Sequence, residues 1–373
     1  MKKIIFVFVL ILLISPKAFA VNTDDYYEKG LEASGAYELA EKLSDETKEY
    51  MEKIGFGEIG FENILETSPK AIFSAILDLL KNGYKKPLKG AFAAIGAVML
   101  VSICMGFFPE NEKSKSILSI ISGCFVIISV SAPAWESIRA AVTAIEACLM
   151  FEKALIPVLA AIVAFSGNPT LALSVKGASF AAAQATETVA GNFILPLIGA
   201  SGALGITDTF LPSFRLSAIS DLIRKTMTTV LSTSVALFTA FLGMKSIISA
   251  SVDGMALKGV RLAASSFVPV VGGAIGEAYS SVIGSLSVIR STVGIYAIAA
   301  IILTALPVMI NLALWVFAMR FACAVSDLLD CRQCSGILKN IAFVFSMVNT
   351  LLLLCVIVFV ITTGITVLIK SGE

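Results

Sequence analysis

The chain has 373 residues, of which 57% are hydrophobic and only 15% charged, with a mean hydropathy of +0.91; that balance excludes an ordinary water-soluble fold of this size. A formal net charge of +1 without a basic stripe leaves nucleic-acid binding unsupported. Histidine is absent, which excludes Ser-His-Asp and Cys-His catalysis and removes the commonest metal ligand, so no enzyme activity, cofactor or metal site is expected.

Residues 1–20 carry Lys2 and Lys3, an apolar run from Ile4 to Ile14 and the small-x-small end Ala18-Phe19-Ala20, the pattern of a secretory signal cleaved after Ala20. Such a leader sends the next segment out of the cytoplasm. Residues 21–68 hold 13 acidic side chains against four lysines, a local balance of −9, while 69–373 carry +7. Within this acidic segment Leu39, Leu43, Tyr50 and Ile54 recur near helical spacing, which predicts a short helical extracytoplasmic head without a large core of its own. Ser68-Pro69 reads as an N-cap followed by proline at the first helical position. It opens an amphipathic helix over 69–89, with Ile72, Phe73, Ile76, Leu77 and Leu80 on one face, suited to the membrane interface.

From residue 90 to 373 long apolar runs alternate with short polar breaks. A span needs about 20 residues to cross a hydrocarbon core of about 30 Å. The candidate spans are 90–108, 117–135, 148–166, 189–206, 229–250, 293–319 and 341–369, with 148–166 and 189–206 interrupted by Pro157 and Pro196. The expected fold is therefore all-α, a polytopic transmembrane helical bundle of about seven spans, some broken by proline. Two less apolar helical stretches lie between. In 212–228, Phe214, Leu216, Ile219, Leu222, Ile223 and Met227 share one side, with Arg215, Asp221, Arg224 and Lys225 elsewhere; 262–289 is rich in Gly, Ser and Ala. Both suit helix packing or the lining of a cavity. A translocated head puts Lys81, Lys85, Lys86 and Lys89 outside, while the next loop offers only Lys113 and Lys115. That opposes the positive-inside rule, so either the span count differs by one or the leader overrides the loop charges.

Prolines flanked by aliphatic residues occur at Pro157, Pro196, Pro269 and Pro307, spaced 39, 73 and 38 residues apart. One reading is a duplicated core whose paired proline-broken helices surround a transport path. The other is placement of prolines that membrane helices tolerate. Glycine-rich segments follow Pro196 (Gly199, Gly202, Gly205) and Pro269 (Gly272, Gly273, Gly276, with Glu277). Neither has the Lys-Ser/Thr ending of a phosphate-binding loop, so close helix packing explains them better. Pro157, Pro196, Pro269, Gly272, Gly273, Gly276, Glu277 and Pro307 are the candidate channel or packing positions. Other ionisable residues in or beside apolar runs are Glu146, Glu152, Lys153, Lys176, Glu187 and Lys245. They are expected to face a cavity or one another, with the adjacent Glu152 and Lys153 on different sides of a helix. Most of the seven cysteines sit in apolar runs as small hydrophobes. Cys331-x-x-Cys334 lacks two further zinc ligands and leaves a redox pair as the alternative.

The segment from Val260-Arg261 through Phe267-Val268-Pro269-Val270-Val271-Gly272 and Glu277-Ala278 to Ser291-Thr292-Val293-Gly294 resembles the most characteristic stretch of the stage III sporulation protein AE family. The order of leader, acidic head and polytopic body is similar as well, as is the helix from Ser217 to Lys225 ahead of a span. The resemblance implies a multi-pass protein of the mother-cell membrane around the forespore. It would be a subunit of a trans-envelope channel or secretion complex needed for forespore development. The implied partners are the other membrane proteins of the stage III sporulation A operon and, through them, stage II sporulation protein Q of the forespore, together with the lipid bilayer and, in a homo-oligomer, further copies of the chain. A self-sufficient secondary transporter for a small solute is the alternative that the proline pattern motivates.

Overall fold

A computed structural model of the chain describes residues 23–60, 69–107, 112–210, 216, 218–234, 236–237, 240 and 272–368. The leader, Ser68, Pro269, Lys245 and most of the predicted span 229–250 lie outside the described residues. Among the described residues all regular structure is helical. The head comprises α1 (Thr23–Ser34), α2 (Glu38–Glu41) and α3 (Asp45–Lys53). There follow α4 (Pro69–Gly83), α5 (Lys85–Phe107), α6 (Glu112–Phe165), α7 (Pro169–Glu187), a π-helical stretch (Thr188–Ile194) and α8 (Leu195–Phe210). Then come α9 (residues 218–234), α10 (Gly272–Leu328) and α11 (Arg332–Leu368).

Local chemistry sets these boundaries. Ser44 caps α3 by accepting a hydrogen bond from the Thr47 backbone N–H at 3.3 Å, with Asp45 and Glu46 in the first turn and Lys53 in the last, as the helix dipole favours. α6 ends where Gly167 takes φ 79°: the Gly167 N–H bonds Ala164 O and the Asn168 N–H bonds Val163 O, closing the last carbonyls before Pro169 opens α7. The α10–α11 turn has the same closure, with the Cys331 N–H bonded to Ser326 O at 3.0 Å, but Asp330 holds the left-handed position at φ 52°.

The two segments 117–135 and 148–166, expected as separate spans, form parts of one uninterrupted helix, α6. The residues between them, among them Glu136, Arg139 and Glu146, are good helix formers and supply no turn. Likewise 272–289 of the expected packing stretch runs directly into 293–319 within α10. Among the described residues five helical segments are long and apolar enough to cross a membrane: Leu77–Cys104, Ile120–Phe165, Pro169–Phe210, Gly284–Leu328 and Arg332–Val367.

α6, α10 and α11 form the backbone of the bundle. α10 and α11 are antiparallel, with Trp315 stacked on Phe345 at 5.1 Å between ring centroids and Gly294 against Val367 at the other end. The Cys148 thiol of α6 donates toward Ile301 O of α10. α5 joins where Gly90 meets the Trp315 ring, and α8 lies along α11 with Gly202 against Val344 and Gly205 against Asn340. Close helix packing at two of the predicted glycines, Gly202 and Gly205, is thus observed, while Gly199 faces open space.

Candidate functional site at the junction of head and bundle

The head does not stand apart from the bundle. Leu31, Leu39, Leu43, Met51, Ile54, Phe56 and Ile59 are buried in the same apolar core as α6, α10 and α11. Three of the four predicted apolar head positions are among them, and the fourth, Tyr50, is half-buried against the same core. Gly30 of α1 admits the Ile289 side chain so closely that a Cβ there would lie 2.6 Å from it. Lower down, a directed chain of hydroxyls crosses the junction. The Thr304 hydroxyl is committed to Ala300 O at 2.8 Å, so at 3.2 Å it accepts from Thr47, which in turn accepts from Ser44 at 2.8 Å.

Among the described residues two hollows open along this seam. One, of about 470 Å³, lies between Ser34, Glu38 and Lys42 of the head and Ala154, Pro157 and Ala161 of α6. The other, of about 180 Å³, lies between Glu41, Lys48 and Glu52 of the head and Tyr296 of α10. Each has charged groups on its head wall and an apolar helix on the other, so water and small polar groups fit one side only.

The eight candidate positions do not converge. Pro157 lines the larger hollow, but α6 runs through it unbroken. Pro307 is likewise inside α10, one turn from Thr304 and one turn from Asn311, whose side chain donates to Gly83 O at 3.4 Å. The expected broken helices at these two prolines are therefore continuous; neighbouring helices hold the chain in register where one N–H is missing. Pro196 follows the π-helical stretch Thr188–Ile194, which widens the helix where the proline ring would meet the carbonyl of Asn192. Its segment Pro169–Phe210 is helical throughout instead of being split. Gly272, Gly273, Gly276 and Glu277 occupy the opening turns of α10, with side chains outside the described set, and Pro269 lies outside it altogether.

Glu152 and Lys153 do point to different sides. Lys153 Nζ reaches Glu187 Oε2 of α7 at 2.9 Å, a half-exposed pair. Glu152 is 1% exposed and its Oε2 has no hydrogen-bond partner among the described residues. Glu146 and Lys176 are exposed. Sequence reasoning missed Arg290, also buried, with Nε and Nη1 unpartnered among the described residues. It missed too a polar link among α8, α9 and α11. Arg224 Nη2 donates to Asn340 Oδ1 at 2.8 Å and stacks on Phe343 at 3.9 Å, while Asn340 Nδ2 donates to Gly205 O at 2.6 Å. An asparagine inside an apolar run opposite a glycine-rich helix was the available signal. Residues 212–215 and 217 of the expected packing stretch 212–228 lie outside the described residues, and the rest does not present its apolar residues on one common side. In α9, Ser220, Met227 and Leu231 face inward and Arg224 bonds α11, whereas Ile219 and Leu222 are exposed. An apolar solvent rewards apolar side chains on the outside and draws polar ones to protein partners.

At the far end of the bundle Cys331 and Cys334 are both buried beside the α10–α11 turn. Burial pushes the Cys331 thiol up, and its hydrogen bond with Cys334 opposes that shift. Among the described residues no three Cys, Asp or Glu side chains gather as a metal site requires.

A helical bundle with, among the described residues, five membrane-competent helices and a small polar head sharing its core defines an all-α membrane protein. The chain belongs to the stage III sporulation protein AE family, whose family model matches residues 48–372, and this sets it among sporulation proteins. It is similar to stage III sporulation protein AE of Bacillus subtilis (strain 168), at 25% identity over 257 residues. That alignment covers 69% of this chain and 64% of the relative, so the chain spans less than two thirds of the relative's length. No solved structure matches it.

Proposed function

We propose that this protein is the polytopic membrane subunit of a multiprotein channel or secretion complex that spans the envelope between mother cell and forespore. The observation that carries the reading is family membership over residues 48–372, nearly the whole helical body and the last part of the head. In this reading the protein sits in the mother-cell membrane around the forespore, a cleaved leader leaves the head extracytoplasmic, and the subunit has a structural or gating role without catalysis. Its partners are the other membrane proteins of the stage III sporulation A operon and, through them, stage II sporulation protein Q. The acidic outer surface of the head, on the side away from α10, is the surface offered to them.

The rival reading, a self-sufficient transporter, drew on paired broken helices, and the continuity of α6 and α10 through Pro157 and Pro307 weighs against it. Deleting the gene is expected to arrest spores after engulfment, scored by microscopy and heat resistance; normal heat-resistant spores overturn the proposal. Affinity purification from sporulating cells is expected to recover a fixed set of membrane partners. Solute uptake by the reconstituted protein alone would support the transporter instead.

A further inference from the structure

The long helices are too long for one bilayer. Of the five apolar segments only Leu77–Cys104, at 28 residues, is near the length a membrane requires, whereas the others run from 36 to 46 residues. At about 1.5 Å per residue these reach about 54–69 Å, roughly twice a hydrocarbon core of about 30 Å, a mismatch that ordinary tilt cannot absorb.

The surface resolves which part is immersed. Large apolar side chains stand exposed on α5, the first half of α6 and the second half of α10, among them Phe92 (64%), Ile128 (71%), Phe317 (71%) and Leu328 (85%). A rim of amphipathic and charged groups bounds this region on the side nearer the head. Tyr84 and Trp135 are exposed there, and Lys86 pairs with Glu136 at 3.0 Å with both side chains in the open. The opposite rim is the opening of α6, which begins at Glu112, and the α10–α11 turn, where Asp330 and Arg332 pair at 3.5 Å. From Lys115 to Glu136 the helix rises about 32 Å, and from Lys89 to Phe107 about 27 Å, which matches a single hydrocarbon layer. Arg320 and Lys339 are exposed inside this layer, each within about 12 Å of the turn, a depth from which long basic side chains reach the headgroups, and α9 adds the exposed Asp221 and Lys225 at the level of the Arg224–Asn340 bond.

The other half of the bundle has a different surface. The apolar runs around Ala297–Ile301 and Leu351–Phe359 are mostly turned inward, onto one another and onto the head. Met150 (71%), Phe165 (53%) and Leu173 (74%) are exposed here too, but they are interspersed with polar groups: the outer helix α7 exposes Lys176 and Gln184 on the same face as Leu173 and Phe180, and the Lys153–Glu187 pair is half-exposed. Glu146 is exposed, and the head adds a row of carboxylates at the level of residues 286–304 of α10. Hydrocarbon around this half would have to solvate all of these charges.

We infer that the bilayer encloses only the half of the bundle between the Lys86–Glu136 rim and the α10–α11 turn, and that the acyl chains are the partner of its exposed apolar belt. The half bearing the head stands in water as a helical body about one membrane thickness tall. Pro87, Pro133 and Pro307 all fall at the boundary between the two halves.

Single-cysteine substitution with a membrane-impermeant maleimide tests this in membranes of cells producing the full chain, read above the wild-type background in intact and in permeabilised protoplasts. Glu146→Cys and Leu173→Cys are expected to label in the membrane, both from the same side, and Phe92→Cys and Ile128→Cys to label only after denaturation in SDS. Protection of Glu146→Cys and Leu173→Cys until SDS is added overturns the inference, as does ready labelling of Ile128→Cys. Labelling of the first pair only after permeabilisation leaves the bilayer where it is placed here and overturns instead the extracytoplasmic head of the proposed function.

Discussion

The two halves of α6 solve opposite problems with one continuous helix. In the lipid-facing half, burying apolar surface gives no drive for association, and the contacts depend on close approach and polar bonds. Gly123 faces Phe210 and Ile337, Gly205 faces Asn340, and Arg224 ties α9 to α11 through that same asparagine. In the half that carries the head, Leu31, Leu39 and Met51 come from the head to cover α6 and α10, as a soluble protein would cover them.

Four substitutions sharpen or break this comparison. The largest effect is expected for Trp315→Ala, which removes a fully buried ring that stacks on Phe345 and receives Gly90; a loss of about 3–5 kcal/mol should appear as a lower unfolding temperature in detergent or nanodiscs. Next is Gly205→Val: even its Cβ would lie 2.5 Å from Asn340 Oδ1, so about 1–3 kcal/mol is expected from overpacking. Because the damage lies between α8 and α11, protease resistance of the head should be unchanged, and head cleavage comparable to that of a head-loosened variant would erase the distinction between the halves.

Thr304→Val acts on the other half. It removes the hydroxyl that accepts from Thr47, a loss of about 1 kcal/mol, and should raise the rate of limited proteolysis in residues 44–60 without altering thermal unfolding of the bundle by more than a few degrees. The smallest effect is a gain. Asp330→Gly relieves the left-handed backbone at φ 52° and should stabilise the α10–α11 turn by up to about 1 kcal/mol, provided the weak exposed pair with Arg332 contributes little; an unchanged or lowered unfolding temperature would show that the pair matters.

Much of the architecture was legible in the residues, because hydropathy and helical spacing are local properties. The membrane character, the helices, the apolar positions of the head and the opposite directions of Glu152 and Lys153 all followed from patterns a few turns long. The misreadings share one cause. Splitting α6 in two took a polar interruption for a turn, and grouping the apolar residues of 212–228 on one packing side did not separate Met227, which is buried, from Ile219 and Leu222, which are exposed. Neither the Thr47–Thr304 contact, 257 residues apart along the chain, nor the Arg224–Asn340 bond, 116 apart, has a local signature.

By itself the amino-acid sequence determined that this chain belongs in a bilayer and is built of helices, since continuous apolar runs of about 20 residues, without the alternation of a barrel strand, satisfy their backbone in hydrocarbon only as helices. Only the tertiary structure decided which apolar residues meet lipid and which meet the head. Leu39 and Phe92 have the same chemistry along the chain, and what separates them is the neighbour that each finds, which is fixed by packing across the whole bundle.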